Sequence, residues 1–358
     1  MIIKILKMLI IALFISCSPK PSSESTDPAD QGANGWVPVF APIPERQLCS
    51  EAQRSRMLVE SNDPTVVNCH LILEPSDAIR RPLVFRGEQS SGVLMDCNGA
   101  TVSVSDGDAL RIRSEMGEPV HDVTIRNCII NGSVRIWGLA INGNSPDLLE
   151  SSRTLEHVSN VRDHAPYRVI LEGLTITSHG RIPLYIAPGV HHSLVTNCEI
   201  DGASDSVLVY LDAETTANSF TENTLRAENI DREAIALDGS SFNTIENNSI
   251  WSAYAGGIFL YRNCGEGGVS RHSTPSVNRI IGNTIQCRYH RLDLRTDPGI
   301  WLGSRDGRRG YCGDDAGYPY GSSVSDYDFA RWNVVSDNDL RDCEIELGNS
   351  TNHSNQID

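Results

Sequence analysis

Asp212 and Asp238 each directly follow an apolar–x–apolar triplet, Val209-Tyr210-Leu211 and Ile235-Ala236-Leu237, and the two triplets start 26 residues apart. If such repeats stack as neighbouring strands, the two carboxylates stand about 5 Å apart. Three kinds of chemistry suit that pair. It can be the acid and nucleophile of a retaining glycosidase, whose carboxyl groups sit about 5–5.5 Å apart. It can ligate Ca²⁺, which takes clustered oxygen ligands. It can also pair with Arg232 and Arg262 in a structural ion network.

These positions rest on a repeat. The same triplet recurs as Leu110-Arg111-Ile112, Val134-Arg135-Ile136, Leu184-Tyr185-Ile186, Ile258-Phe259-Leu260, Ile300-Trp301-Leu302 and Ile345-Glu346-Leu347, with successive starts 24, 50, 25, 26, 23, 42 and 45 residues apart. A base period of about 25 residues with insertions fits every step. Asparagines run in phase, as in Asn127-Cys128-Ile129, Asn223-Thr224-Leu225, Asn283-Thr284-Ile285 and Asn338-Asp339-Leu340. Strands this short bury a core only by stacking on one another, which makes long parallel sheets. Asparagines at stacked turns satisfy each other and the backbone, so they are expected to be structural. Helical periodicity is weak after residue 100, and no alternation of strand and helix occurs.

If the apolar positions point inward, the middle residue of each triplet points out. That column reads Arg111, Arg135, Tyr185, Tyr210, Ala236, Phe259, Trp301, Glu346. Two residues on, the next outward column reads Arg113, Trp137, Ala187, Asp212, Asp238, Tyr261, Gly303, Gly348. Three residues before the triplets stand Arg181, Arg232 and Asp297. Arginines therefore gather at one end, aromatics occupy the middle and the other end, and two carboxylates sit at the centre. Aromatic rings along a groove suit sugar rings, and arginines suit carboxylate or sulfate groups through paired hydrogen bonds. The column suggests a linear acidic polysaccharide or oligosaccharide as partner, contacting Arg111, Arg135, Trp137, Tyr185, Tyr210, Arg232, Phe259, Trp301 and Arg305. The competing expectation is that these aromatics pack under the insertions at 138–165, 263–280 and 303–333.

Charge and composition bound the classes. Of 358 residues, 30 are Lys or Arg and 46 Asp or Glu, a net charge of −16. Such a surface excludes general nucleic-acid binding. The lysines, Lys4, Lys7 and Lys20, all lie at the N-terminus, so no lysine base serves the folded part. Met1–Lys7 is a short basic region, and Met8–Ile15 is apolar but too short to span a bilayer. The run Phe14-Ile15-Ser16-Cys17 resembles a bacterial lipobox, which implies acylation of Cys17 after removal of residues 1–16. Residues 17–45, rich in Ser, Pro, Asp and Gly, are expected to be a flexible tether. A protein anchored in this way belongs to the bacterial cell envelope and touches the membrane only through its lipid. A monomer is expected. Ten cysteines are present. Without Cys17 the count is odd, so an oxidising compartment leaves at least one free thiol.

The eight triplets and the asparagine turns resemble the right-handed parallel β-helix superfamily, the pectate-lyase-like fold. Leu94-Met95-Asp96-Cys97-Asn98-Gly99-Ala100-Thr101-Val102 is similar to an opening coil. The resemblance implies an all-β solenoid of about eight or more coils over 91–358, behind an N-terminal cap at 46–90 that contains Cys49 and Cys69. It makes Cys287–Cys343 and Cys264–Cys312 candidate disulfides, with Cys49 and Cys69 as further disulfide candidates, and leaves Cys128 and Cys198 as buried thiols. It also implies polysaccharide chemistry, with a lyase or epimerase leading, a glycoside hydrolase through Asp212 and Asp238 next, and a non-catalytic glycan- or protein-binding envelope lipoprotein as the alternative. Elimination from a uronate needs its carboxylate neutralised, by Ca²⁺ or arginine, and a base for the C5 proton. In the family that base is often arginine or lysine, sometimes tyrosine or histidine. Around Asp238 the sequence offers Arg262, Arg232, Arg305, Tyr261 and His272. Arginine, with a pKa above about 12, is a poor base, so Tyr261 and His272 stay open. Departures from the family are plain. There is no Asp-Asp and His-Gly-His set of the polygalacturonase kind, and Asp297-Pro298 is followed by Gly299 where mannuronan epimerases have His. The site is expected on the outer face at coils 184–302, between loops 263–280 and 303–333.

Overall fold

The structure, a computed structural model, describes residues 46–253, 255–263, 266–288, 297–304, 330–348 and 354–358. Cys17, Cys264, Arg305 and Cys312 lie outside the described residues.

Each coil contributes short parallel strands to a right-handed β-helix. Among the described residues these form one sheet of 17 strands and a second of 10. The larger sheet joins two faces, because Thr101–Arg113 and Ile129–Trp137 run unbroken around the corner between them. The eight triplets pair in the expected register, from Leu110↔Val134 through Val134↔Leu184, Leu184↔Val209, Val209↔Ile235, Ile235↔Ile258 and Ile258↔Ile300 to Ile300↔Ile345. Parallel pairing also extends back into the 46–90 segment, where Leu83–Arg86 pairs with Leu110–Arg113 and Thr65–Val66 with Leu83–Val84. Glu51–Leu58 is a helix capped by Ser50, whose side chain accepts from the Gln53 N–H, and Cys49–Cys69 ties it to the first coils. Both apolar positions of each triplet face inward, so Ile112, Ile136, Ile186, Leu237 and Leu302 join one continuous core.

The asparagines form two ladders, buried except at their last rungs, Asn338 and Asn355. Asn218, Asn243, Asn278, Asn333 and Asn355 make one, each Oδ1 accepting the backbone N–H of the preceding member. Asn223, Asn248, Asn283 and Asn338 make the other, and Asn223 caps the Cys198 N–H. Asn127 stands apart, in a left-handed turn position (φ 55°) with its amide on Asp96. The next residue, Cys128, occupies the ladder column. It is not a free thiol as expected: one coil away lies Cys97, and the two form a disulfide. Cys287–Cys343 forms as expected. Cys198 is a buried free thiol, and burial pushes it up to about 12, which leaves it inert.

Candidate functional site

The outward columns fall in the expected register, with Tyr185↔Tyr210, Ala236↔Phe259, Phe259↔Trp301 and Asp238↔Tyr261 in adjacent coils. What covers them differs along the face, and three zones result.

The central zone is roofed. The insertion after Trp137 carries two short helices, Pro146–Ser151 and His157–Asp163. Ala140, Leu148 and Val161 pack on Val269 of the segment 266–276, and Arg153 donates to the Gly268 carbonyl at 2.7 Å. Gly189 lets the second helix sit close, since a Cβ there would lie 2.6 Å from Val161. From the segment 266–276, Arg271 reaches down between Asp212 and Asp238, pairing with Asp212 at 3.2 Å and with Asp238 more closely. Gly143 closes over them; a Cβ there would stand 2.7 Å from Arg271 Nη2.

Asp212 and Asp238, expected on an open face, are therefore 1% and 0% exposed. Their ion partner is Arg271. Arg232 lies elsewhere, and Arg262, fully buried, donates to the Arg271 carbonyl. Tyr185 donates to Asp212 and Tyr210 to Asp238. Asp238 also accepts from the Asn263 N–H at 2.7 Å and Nδ2 at 2.8 Å. Burial lifts Asp212 above the usual carboxylate range, against the pull of Arg271, because one guanidinium serves two buried carboxylates. Burial, and then the Asp212 charge, pushes the Tyr185 phenol well up, and the same causes act on Tyr210 through Asp238. A Ca²⁺ ion does not fit between the carboxylates, since Arg271 fills that place. No group of three or more His, Cys, Asp or Glu side chains suited to an ion occurs among the described residues. Tyr185 and Tyr210, stacked with centroids 5.4 Å apart, are each 7% exposed. They pack rather than line a groove, and Arg135 lies over the Tyr185 ring.

Beyond the roof, toward the C-terminal coils, a cleft of about 460 Å³ is lined by Phe259, Trp301, Arg232, Glu233, Asp297 and Glu346, among others. Two glycines make its aromatic floor possible. A Cβ on Gly303 would lie 2.2 Å from the Trp301 ring, and one on Gly256, which adopts φ +112°, would lie 2.4 Å from Phe259. Behind the floor, Tyr261 is fully buried and donates to Glu233 Oε1 at 2.6 Å. Arg232 donates to the same oxygen at 2.8 Å and to the Tyr261 hydroxyl. Burial opposes the charge on Arg232, yet Tyr261 and Glu233 outweigh it and hold the guanidinium more firmly protonated than usual.

At the N-terminal end lies a third zone, a cleft of about 270 Å³ with Val66 and Val84 on its floor, Trp137 beside them, and Arg86, Arg111 and Arg113 around them. A larger cleft of about 510 Å³ shares Arg111 and runs over the corner past Ser103 and Asp106, with no aromatic lining.

The structure thus brings Arg232, Phe259, Trp301 and Tyr261 together, and separately Arg111 with Trp137. It removes Asp212, Asp238, Tyr185, Tyr210 and Arg262 from solvent. His272 also belongs to the roof; its Nε2 lies 2.9 Å from the Ser152 carbonyl. Arg271 sits in an insertion, where no repeat assigns a direction, so the sequence pattern does not mark it. Glu233, Asp297, Glu346, Arg86 and Arg113 lay in or beside the columns, and their alignment with the named residues was the available signal.

The family model for the right handed beta helix region matches residues 85–285. No curated protein matches by sequence. Among solved structures, the tailspike of the E. coli bacteriophage HK620 is similar with a TM-score of 0.40 at 9% identity, covering 79% of this chain and 50% of that one. The chain thus spans half the tailspike's length. A mannuronic acid specific polysaccharide family 6 lyase from human gut microbiota gives 0.37 at 10% identity, covering 83% and 73%. The A-module of an Azotobacter vinelandii mannuronan C-5 epimerase gives 0.28 at 12% identity, covering 83% and 89%.

Proposed function

This chain belongs to the right-handed β-helix family, and from that premise we propose that it is an envelope carbohydrate-active protein that works at the Phe259–Trp301 cleft. The observation that carries the reading is the juxtaposition there of an aromatic floor, made possible by flanking glycines, with a partly exposed, firmly protonated arginine. A ring of a polysaccharide stacks on Trp301 while a polar substituent pairs with Arg232.

For a uronate, Arg232 would neutralise the carboxylate and so acidify the C5 proton. Glu233, next to Arg232 and already accepting from Tyr261, is the base nearest to it. Tyr261 is out of reach of a substrate and acts through Glu233 and Arg232, as a positioning residue. This supports lyase or epimerase chemistry. A second reading, hydrolysis, is favoured by Asp297 and Glu346, two further carboxylates lining the same cleft. The products separate the readings: elimination leaves unsaturated ends that absorb in the ultraviolet, epimerisation inverts C5 without cutting the chain, and hydrolysis leaves only new reducing ends. Under either chemistry Trp301→Ala abolishes turnover and weakens saccharide binding by about 1–3 kcal/mol. Unchanged turnover in that variant removes the cleft from consideration. Anchoring through Cys17 is part of the proposal, and Cys17→Ser should release the protein from membranes.

A further inference from the structure

We propose that the cleft formed by Arg86, Arg111, Arg113 and Trp137 is a separate specificity site that binds an oxyanion substituent, carboxylate or sulfate, of a saccharide. It rests on the saccharide reading above, but not on the residues that carry it. Five strand spacings of about 4.8 Å separate Arg111 from Phe259 along the column, roughly 24 Å, and the roofed zone lies between.

The charge balance is the first ground. In a chain of net charge −16, five guanidinium groups converge on three carboxylates. Arg86 and Arg113 share Glu115, at 3.0 and 3.6 Å. Arg111, Arg135 and Arg181 share Asp108, at 3.6, 3.6 and 3.9 Å, and Arg181 also meets Asp106. Most of these contacts exceed hydrogen-bond length. The Nε atoms of Arg86, Arg111 and Arg135 are buried with no hydrogen-bond partner. Asp108 Oδ1 is likewise buried without a hydrogen-bond partner, and Arg113 and Arg135 each donate to a backbone carbonyl, of Ser114 and Ile141; the guanidinium groups still outnumber the carboxylates around them.

The second ground is shape. Arg86 and Arg113 are in register on adjacent strands, and Arg111 stands two residues before Arg113 on the same face. Their side chains are 36%, 31% and 32% exposed, so a ligand can reach them. Val66 and Val84 supply an apolar floor, with the Trp137 indole beside it. Planar guanidinium forks suit carboxylate and sulfate oxygens, and the floor suits the C–H face of the ring that bears them.

The test uses the full chain and three probes: a uronate oligosaccharide, the same oligosaccharide with its carboxyl groups reduced to alcohols, and a sulfated neutral oligosaccharide. Calorimetric titration should show the reduced probe binding at least tenfold more weakly than the uronate. Arg113→Gln and Arg111→Gln should each cost about tenfold on the oxyanion probes and nothing on the reduced probe. Arg113→Lys, which keeps the charge and loses the fork, should recover only part of that loss. Circular dichroism melts matching the parent show that the variants fold. Preference for the uronate or for the sulfated probe identifies which oxyanion is read. Trp301→Ala should remove turnover while leaving this oxyanion preference intact, so the two sites can fail separately. Equal affinity for the charged and reduced probes overturns the proposal, as does a folded Arg113→Gln variant with undiminished oxyanion binding.

Discussion

Arg271→Met tests the roofed centre most directly. The substitution keeps most of the side-chain volume and removes the one cation that lies between Asp212 and Asp238. Neither carboxylate loses its hydrogen bonds. Asp212 keeps Tyr185 and the Ala213 N–H, and Asp238 keeps Tyr210 and Asn263. What remains is two uncompensated charges at 1% and 0% exposure, which costs about 3–5 kcal/mol. With unfolding entropy of about 2.1 cal/mol/K per residue, the roughly 270 described residues give about 0.57 kcal/mol/K, so Tm should fall by about 7 °C at neutral pH. The pH dependence sharpens the prediction. Burial already raises Asp212 above the unfolded range against the pull of Arg271, and removing Arg271 removes that pull. A raised folded-state pKa gives stability that is present below the unfolded pKa and lost as pH rises through the folded one. The deficit should therefore be largest at pH 7 and shrink toward pH 4. Adding Asp212→Asn should restore part of it, a coupling that independent sites do not show. The assay is calorimetric melting of parent, single and double variants between pH 4 and 8. A variant that melts with the parent at pH 7, or whose deficit grows in acid, refutes the account.

His157 is buried beside Ser151 and lies 3.9 Å from Glu214, and burial lowers its pKa to about 4. Because the folded value lies below the unfolded 6.5, stability is full above about 6.5 and declines as pH falls toward 4, by about 3 kcal/mol. His191, also lowered to about 4 by burial, and His192, lowered chiefly by burial, contribute slopes of the same sign, so His157→Gln should remove part but not all of the acid loss in urea titrations at pH 7 and 4.5. Asn248→Ala strips the acceptor from the Asn223 N–H and Nδ2 and leaves the Asn283 ladder one rung short. It should cost about 2–4 kcal/mol in denaturant melts, and a loss under 1 kcal/mol would remove the ladder from the stability account. Gly303→Ala places a methyl 2.2 Å from the Trp301 ring. It should shift tryptophan fluorescence and weaken saccharide binding while leaving the melt close to the parent's, and unaltered binding would show that the ring does not need that position.

The repeat made the fold legible without coordinates. Ile235-Ala236-Leu237 and its seven counterparts alternate in a way that only one register satisfies, because a slip of one residue turns the apolar pair outward and the middle residue inward. Asn223, Asn283 and Asn338 announced their ladder for a similar reason: a buried amide needs a partner at the same turn of the next coil. These are local demands renewed every coil, so the chain states them many times. Spacing does not pair Cys128 with Cys97, because Cys97 sits in a coil whose turn, between Asp96 and Thr101, is longer than that between Arg126 and Ile129.

The site was legible only as far as the repeat extends. Tyr210, Asp212, Asp238, Phe259 and Trp301 could each be given a column and a row from sequence. Whether a column is open or covered depends on Gly143, Val161, Val269 and Arg271, which lie in insertions with no period to orient them. A strand's alternation determines which side chains point out, because that direction is set within two residues of backbone. Exposure is set by whatever long-range segment happens to pack on top. Tertiary packing alone therefore decided that Asp212 and Asp238 are a buried ion cluster, and that clefts remain open at Trp301 and at Arg113.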